Sequence, residues 1–398
     1  MPLPDNQPAR ILFASFVGDN RWSGMGKWTH SIADCLSVIG HRPSTWFAND
    51  FPGVEQWHRW GVLLYPVALA WRVWKHRTRF DAVIVHEASG FWCCLMRRLG
   101  FPLPPIVAMC HNVESKLFHE MVGFSAQGLA VVPWASRLKA PLLRLWQSDG
   151  TIRMADHVIC LSSVDRDYLV GRLHVSADRI TRITNGVAAE HIPTEPPLEG
   201  KRVLFVGGWL DVKGRRVLPA LWTKIRATTP RASLTILGAG QAPEIVLNDF
   251  SPEDRASVTV IPRVTGQWEM AEHYSQHDVY LMASLSEGSS LALLEALAAG
   301  IPVVATRVGG NGDIIAHNQN GLLFAPTDIE EGAAHVSRLL EDHGAALRLR
   351  DAGRQTAQKL DWRQTTGALL AACEKAIGRT LETLPVPESS PQGTAPLR

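Results

Sequence analysis

Short apolar runs alternate with stretches of helical period along almost the whole chain. ILFASF from Ile11 is an apolar block of strand length. It leads into a loop carrying Gly24 and Gly26, after which SIADCLSVIG places its apolar residues at helical spacing. DAVIVH, PPIVAMCH, DHVICLSS and ITRITNGV repeat the strand signature, each leading toward polar or glycine-rich residues. After the Pro- and Glu-containing stretch Glu190 to Gly200 the rhythm restarts with VLFVGG, LTILGAG, VTVIP, DVYLMAS and IPVVAT. Strands that alternate with helices build parallel sheets covered on both faces. The pattern therefore predicts an α/β protein of two doubly wound, Rossmann-like domains, with ligands held in a cleft beyond the carboxyl ends of the strands. The stretch 190–200 reads as the linker. DWRQTTGALLAACEKAI, Asp361 to Ile377, reads as a last helix, and the Pro- and Ser-rich tail from about Thr380 as disordered.

The 398 residues are too many for one ordinary core. A net charge of +2 with 46% hydrophobic residues sets the chain apart from basic nucleic-acid binders and from acidic disordered proteins. Cys35, Cys93, Cys94, Cys110, Cys160 and Cys373 have no C-x-x-C spacing, which implies free thiols in a reducing cytoplasm. The first sixteen residues lack the basic and long apolar regions of a signal peptide. The most apolar stretch, GVLLYPVALAW, is too short to span a bilayer and contains Pro66. No P-loop and no H-E-x-x-H occurs.

The densest chemical signal is SEGSSLALLEALAAGIPVVA, Ser286 to Ala305. Ser289 or Ser290 can cap a helix over Leu291 to Ala299, and Gly300 followed by Pro302 stops it. Eight residues of helix rise about 12 Å, which puts Glu295 near the far end and Glu287 in the preceding loop, too far apart for one acid/base pair. Between them the unpaired amides and positive dipole end of the helix favour a phosphate. The order carboxylate, anion hole, carboxylate matches the sugar hydroxyls, diphosphate and ribose hydroxyls of a nucleotide sugar. Taken alone, the pair is better read as two solvated glutamates on an ordinary amphipathic helix; its neighbours change that.

This segment resembles the E-x7-E signature of retaining glycosyltransferases of family 4 (group 1), which have the two-domain GT-B fold. KRVLFVGGWLDVKG, from Lys201 to Gly214, resembles the family's first C-terminal-domain strand and phosphate-binding loop. SLTILGAG, VGGNGDII and NGLLFAPTD have family counterparts too, as do HNVE from His111, ADHVICLSSVDRDYL and RITRITNGV in the first half. The resemblance implies an acceptor-binding domain over 1–195, a nucleotide-sugar-binding domain over 196–362, a helix over 363–379 crossing back to the first domain, and a tail over 380–398. It implies a retaining, metal-independent hexosyltransferase with no cofactor besides its nucleotide-sugar co-substrate, acting on a lipid-linked, polysaccharide or other glycan hydroxyl. His111, Lys213 and Glu287 become the catalytic candidates. Glu287 and His111 would hold the donor sugar, Lys213 the leaving diphosphate and Glu295 the ribose, helped by amides near Ser290 and Leu291. Gly24, Gly26, Gly207 and Gly288 would let backbone approach the donor. Where family members often carry a second cation this chain has Gly208, and Arg215 or Arg216, with a slight preference for Arg215, is the substitute. A GT-B sugar-nucleotide epimerase and a non-catalytic nucleotide-sugar-binding subunit are the rival readings.

Lys27, beside the first glycine pair, can touch an acceptor or simply be solvated. Asp165 and Asp167 read as surface charge on a helix, where residues two apart diverge. Trp57, Trp60, Trp71 and Trp74 interleave with Arg59, Arg72, Lys75, Arg77 and Arg79, and Arg137, Lys139, Arg144 and Trp146 form a second such cluster. Two readings stay open: a peripheral surface for an anionic membrane, or a core face with snorkelling cations.

Overall fold

The computed structural model describes residues 8–21, 23–53, 60–187, 200–264 and 266–381. The linker expected over 190–200, the tail from 382, Trp57 and Arg59 lie outside them, Gly200 excepted. The first sheet comprises β1 (Arg10–Ala14), β2 (Arg42–Trp46), β3 (Ala82–His86), β4 (Ile106–Cys110), β5 (His157–Cys160) and β6 (Ile180–Arg182). The second comprises β7 (Arg202–Val206), β8 (Ser233–Leu237), β9 (Val258–Ile261), β10 (Val279–Met282), β11 (Val303–Thr306) and β12 (Leu322–Phe324). All pairings are parallel, in the orders β2-β1-β3-β4-β5-β6 and β12-β11-β10-β7-β8-β9. In each sheet the chain runs outward to one side of its first strand and then returns to the other. The crossover directions therefore reverse between β1 and β3 and between β7 and β10, and a crevice opens there beyond the strands' carboxyl ends.

Buried Val, Ile, Leu and Ala residues supply the central strands, and helices cover both faces of each sheet. β2, RPSTW, escaped the apolar-run reading because it is an edge strand, exposed enough to carry Arg42, Pro43 and Ser44. The first helix spans Gly24–Val38 and starts earlier than its apolar period indicates. Ser23 Oγ accepts the Gly26 amide at 3.1 Å, so Gly24 and Gly26 belong to its first turn and not to the loop.

The helix Trp362–Ile377 packs on the first sheet. Its Trp362, Leu369, Leu370 and Cys373 share a core with Ile11, Phe13, Trp28 and Val107. A Cβ on Gly186 would lie 2.4 Å from the Trp362 amide nitrogen, Val187 N–H donates to Leu360 O at 2.8 Å, and Thr365 Oγ1 donates to Thr184 O at 2.8 Å. Residues 184–187 thus form the seat for the returning chain. No helix among the described residues is long and apolar enough to cross a membrane.

Candidate active site

The loops after β7 and β10 meet at the second sheet's reversal point. Gly207 (φ +152°) ends β7, and a short turn, Asp211–Lys213, closes on Gly214 at φ +90°. A Cβ on Gly214 would sit 2.1 Å from the Ala283 carbonyl oxygen, so glycine here lets the lysine loop lie directly on the loop after β10. Lys213 Nζ consequently lies 2.8 and 3.0 Å from the two carboxylate oxygens of Glu287, and Ser284 Oγ donates to the same carboxylate at 2.6 Å. Glu287 is buried.

The helix after Glu287 spans Leu291–Ala299, with Ser290 as its cap and Gly300 at φ +71° ending it. Residues 287–290 are loop, so Glu295 sits at mid-helix and not near the far end, and only five residues of rise, about 7.5 Å, separate it from the cap. Its Oε2 accepts Tyr274 Oη at 3.1 Å, and its Oε1 is paired with Lys27 from the first domain. Sequence reading placed Lys27 beside an acceptor or in solvent; the fold brings it to Glu295.

His111 arrives from the carboxyl end of β4. Its ring stands edge-on to Trp28, centroids 5.0 Å apart, and 4.7 Å from His86 at the end of β3. Its Nε2 is sealed from solvent and has no hydrogen-bond partner. Burial, reinforced by His86, holds its pKa well below the ordinary histidine value, and burial takes His86 to about 4. Both rings are therefore neutral at neutral pH.

The two domains touch through backbone at this point. A Cβ on Gly288 would lie 1.6 Å from the His111 carbonyl oxygen across the cleft, and within the second domain one on Gly309 (φ +46°) would lie 1.6 Å from that of Glu287. Around these contacts Asn112 Nδ2 donates to Ser286 Oγ (3.0 Å), Ser286 Oγ to Glu120 (2.5 Å), Asn185 Nδ2 to Ser289 O (2.7 Å) and Ser163 Oγ to Asp313 (2.6 Å). Apart from Ser289, which reads as a candidate helix cap, none of these cross-cleft partners stands out in the sequence. Asn112 and Asn185 were legible only as neighbours within HNVE and NGV, because their roles depend on which loops face each other.

Other expected residues go elsewhere. Arg215 is bonded to Asp249 (2.7 Å), which also accepts Trp209 Nε1, and Arg216 pairs with Asp211 (3.2 Å). Neither guanidinium joins Lys213 and Glu287. Gly24 has open space where its Cβ would be, whereas Gly26 is fixed by its own loop, a Cβ there lying 1.9 Å from Asn20 O. Asp165 is not surface charge: it is fully buried, 3.2 Å from the enclosed Lys116 ammonium and accepting from Ser162 Oγ at 2.8 Å. Glu114 forms a two-pronged pair with Arg144 at 2.6 and 2.7 Å. Among the described residues no three His, Cys, Asp or Glu side chains converge as metal ligands.

A family model described as Glycosyltransferase Family 4 matches residues 22–191, and one described as Glycosyl transferases group 1 matches 200–342. A glycogen synthase of Mycobacterium tuberculosis is 28% identical over 60% of this chain and 59% of its own length. The sulfoquinovosyl transferase SQD2 of Arabidopsis thaliana is 40% identical over 46% of this chain and 33% of its own, so the chain matches only part of each relative. The structure of Anabaena HepE in complex with UDP-glucose superposes with a TM-score of 0.66 at 16% identity, covering 91% of this chain and 99% of that one. The two models together span most of the sequence, one matching the second sheet and the other the first sheet apart from β1, and the chain belongs to the GT-B glycosyltransferases of group 1 and family 4.

Proposed function

We propose that this chain is a retaining, metal-independent glycosyltransferase that moves a sugar from a nucleoside-diphosphate sugar to a hydroxyl of a glycan or lipid-linked acceptor. The observation that carries the reading is the Lys213–Glu287 pair at the second sheet's reversal point, beside the backbone of His111 from the first domain. Family membership supports the reaction class. The UDP-glucose complex of HepE, similar in fold, supports the donor class.

Glu295 accepts the ribose hydroxyls, and Glu287 with neutral His111 orients the donor sugar. As the bond from the anomeric carbon to the phosphate oxygen breaks, negative charge grows on the diphosphate, and the Lys213 ammonium with the Ser290 and Leu291 amides stabilises it. The acceptor oxygen attacks the anomeric carbon on the face the phosphate leaves. Its proton passes to the departing phosphate oxygen, so no covalent enzyme intermediate and no protein base is required.

NMR of the first product formed in excess EDTA tests stereochemistry and metal together. The product anomer should match the donor anomer at undiminished turnover. An inverted centre, or activity abolished by EDTA and restored by Mg²⁺, overturns the mechanism. Nucleoside diphosphate released only in the presence of an acceptor separates a transferase from an epimerase or a binding subunit.

A further inference from the structure

The most unusual surface of the molecule lies on the first domain, outside the donor site. Of the eighteen large apolar side chains exposed among the described residues, eleven fall within 60–74 and 131–146. On the helix Gly61–Lys75, Trp60, Leu64, Val67, Trp71 and Trp74 recur at intervals of three and four residues and form one exposed stripe, while Tyr65, Leu69 and Val73 fill the core. Trp134, Leu138, Leu142 and Trp146 repeat the pattern four residues apart along the helical run that begins at Trp134 and continues through the π-turn Pro141–Leu145. That turn packs on the Gly61–Lys75 helix, so the two stripes adjoin. Trp134 is 76% and Leu142 74% exposed, values that rule out the core-face reading of these clusters.

Charge selects the partner. Residues 60–80 contain Arg72, Lys75, Arg77 and Arg79 without a carboxylate, and residues 129–147 contain Arg137, Lys139 and Arg144 without one. The Lys75 ammonium lies 5.1 Å from the Trp71 ring centre and the Arg77 guanidinium 5.5 Å from that of Trp74, so cations and indoles share the same rim. Tryptophan and cations bordering an apolar stripe are the chemistry of an anionic membrane interface. The face also adjoins the cleft. Val131 N–H donates to Asp211 Oδ2 at 2.7 Å, in the turn that carries Lys213, and Arg144 holds Glu114, three residues after His111.

We propose that this face docks on an anionic lipid bilayer and sets the mouth of the cleft at the headgroup layer, where a lipid-borne hydroxyl is the acceptor. The acceptor assignment rests on the transferase reading above; the docking does not.

Co-sedimentation of the full chain with phosphatidylcholine vesicles, and with vesicles containing about one third phosphatidylglycerol, tests it. Wild type should partition into the anionic vesicles at least about ten-fold more strongly and be released by high salt. A Trp71→Ser/Trp134→Ser/Leu142→Ser triple variant and a Lys75→Glu/Lys139→Glu double variant should each lose about ten-fold in binding while keeping the wild-type melting temperature, since these side chains are exposed. No binding to either vesicle, or binding untouched by both variants, overturns the proposal. So does a wild-type dimer that the triple variant converts to a monomer without any vesicle binding, because the face would then join two copies of the chain. Thermal stabilisation by UDP-, GDP- or ADP-sugars without vesicles reads the nucleotide-sugar site separately: vesicle binding with no stabilisation supports the docking and counts against the transferase.

Discussion

Lys27, in the first turn of the helix that opens the first domain, is ion-paired with Glu295 at the middle of a helix in the second, 268 residues further along the chain. Tyr274 occupies the other carboxylate oxygen, so both oxygens of Glu295 are directed. Glu295→Gln removes charge-assisted acceptance from the ribose, about 1.5–3 kcal/mol, and the donor KM should rise more than about ten-fold. Lys27→Met removes only a pair whose lysine is 38% exposed, and should move the donor KM by less than about five-fold. Steady-state kinetics on the two variants compares them, and the reverse order of effects would take the ribose away from Glu295.

Lys213→Ala should lower kcat by about a hundred-fold with a much smaller change in donor KM, because the leaving diphosphate is most negative in the transition state. Lys213→Arg retains the charge and should recover part of the loss. Equal losses in KM with unchanged kcat would make the lysine a ground-state anchor only.

Gly288→Ala inserts a methyl group where the His111 carbonyl oxygen lies 1.6 Å from the ideal Cβ, at the point where the domains meet. Each domain should still fold, with turnover down more than about a hundred-fold, since a displacement of about 1 Å at a reacting site is itself costly. Gly123→Ala, at an exposed position of the helix Glu114–Ala126 with open space around its Cβ, is the control and should stabilise by about 0.5–1 kcal/mol. Wild-type turnover in Gly288→Ala would show that the contact is dispensable.

Burial lowers the pKa of His86 and of His157 from the ordinary 6.5 to about 4. Between those values the unfolded chain binds protons that the folded chain does not, so stability rises with pH across this window. Each residue's contribution is complete above about pH 6.5 and is lost as pH falls toward 4, on the order of 1–2 kcal/mol apiece by pH 5. Melting temperature against pH should therefore fall from pH 7 to pH 5. His157→Asn, placed away from the donor site and bonded to Thr181 in wild type, should flatten that slope, and an unaltered slope would mean that His157 titrates normally.

The architecture is legible in the pattern of apolar runs, and one helix of the candidate site in its own capping residues. Runs such as DAVIVH and VLFVGG call for burial on both faces, and their alternation with stretches of helical period selects parallel sheets flanked by helices. The run Leu291–Ala299 with Ser290 before it and Gly300 after it specifies its helix through local capping alone. Capping at Ser23, by contrast, lies ahead of the apolar period that marks that helix, which begins only further along the chain. What tertiary structure decided are the pairings between distant segments. Asp165 reads as surface charge until β4 and β5 pair and bring the helix that carries it against Lys116. Arg215 reads as a free cation beside the phosphate loop, and the fold pairs it with Asp249. Lys27 and Glu295 meet only once both sheets are built and the helix Trp362–Ile377 has returned to the first. A side chain's neighbours along the chain fix its conformational preference; its electrostatic partner is whatever the packed cores bring within reach, and for these charges that partner lies 34 to 268 residues away.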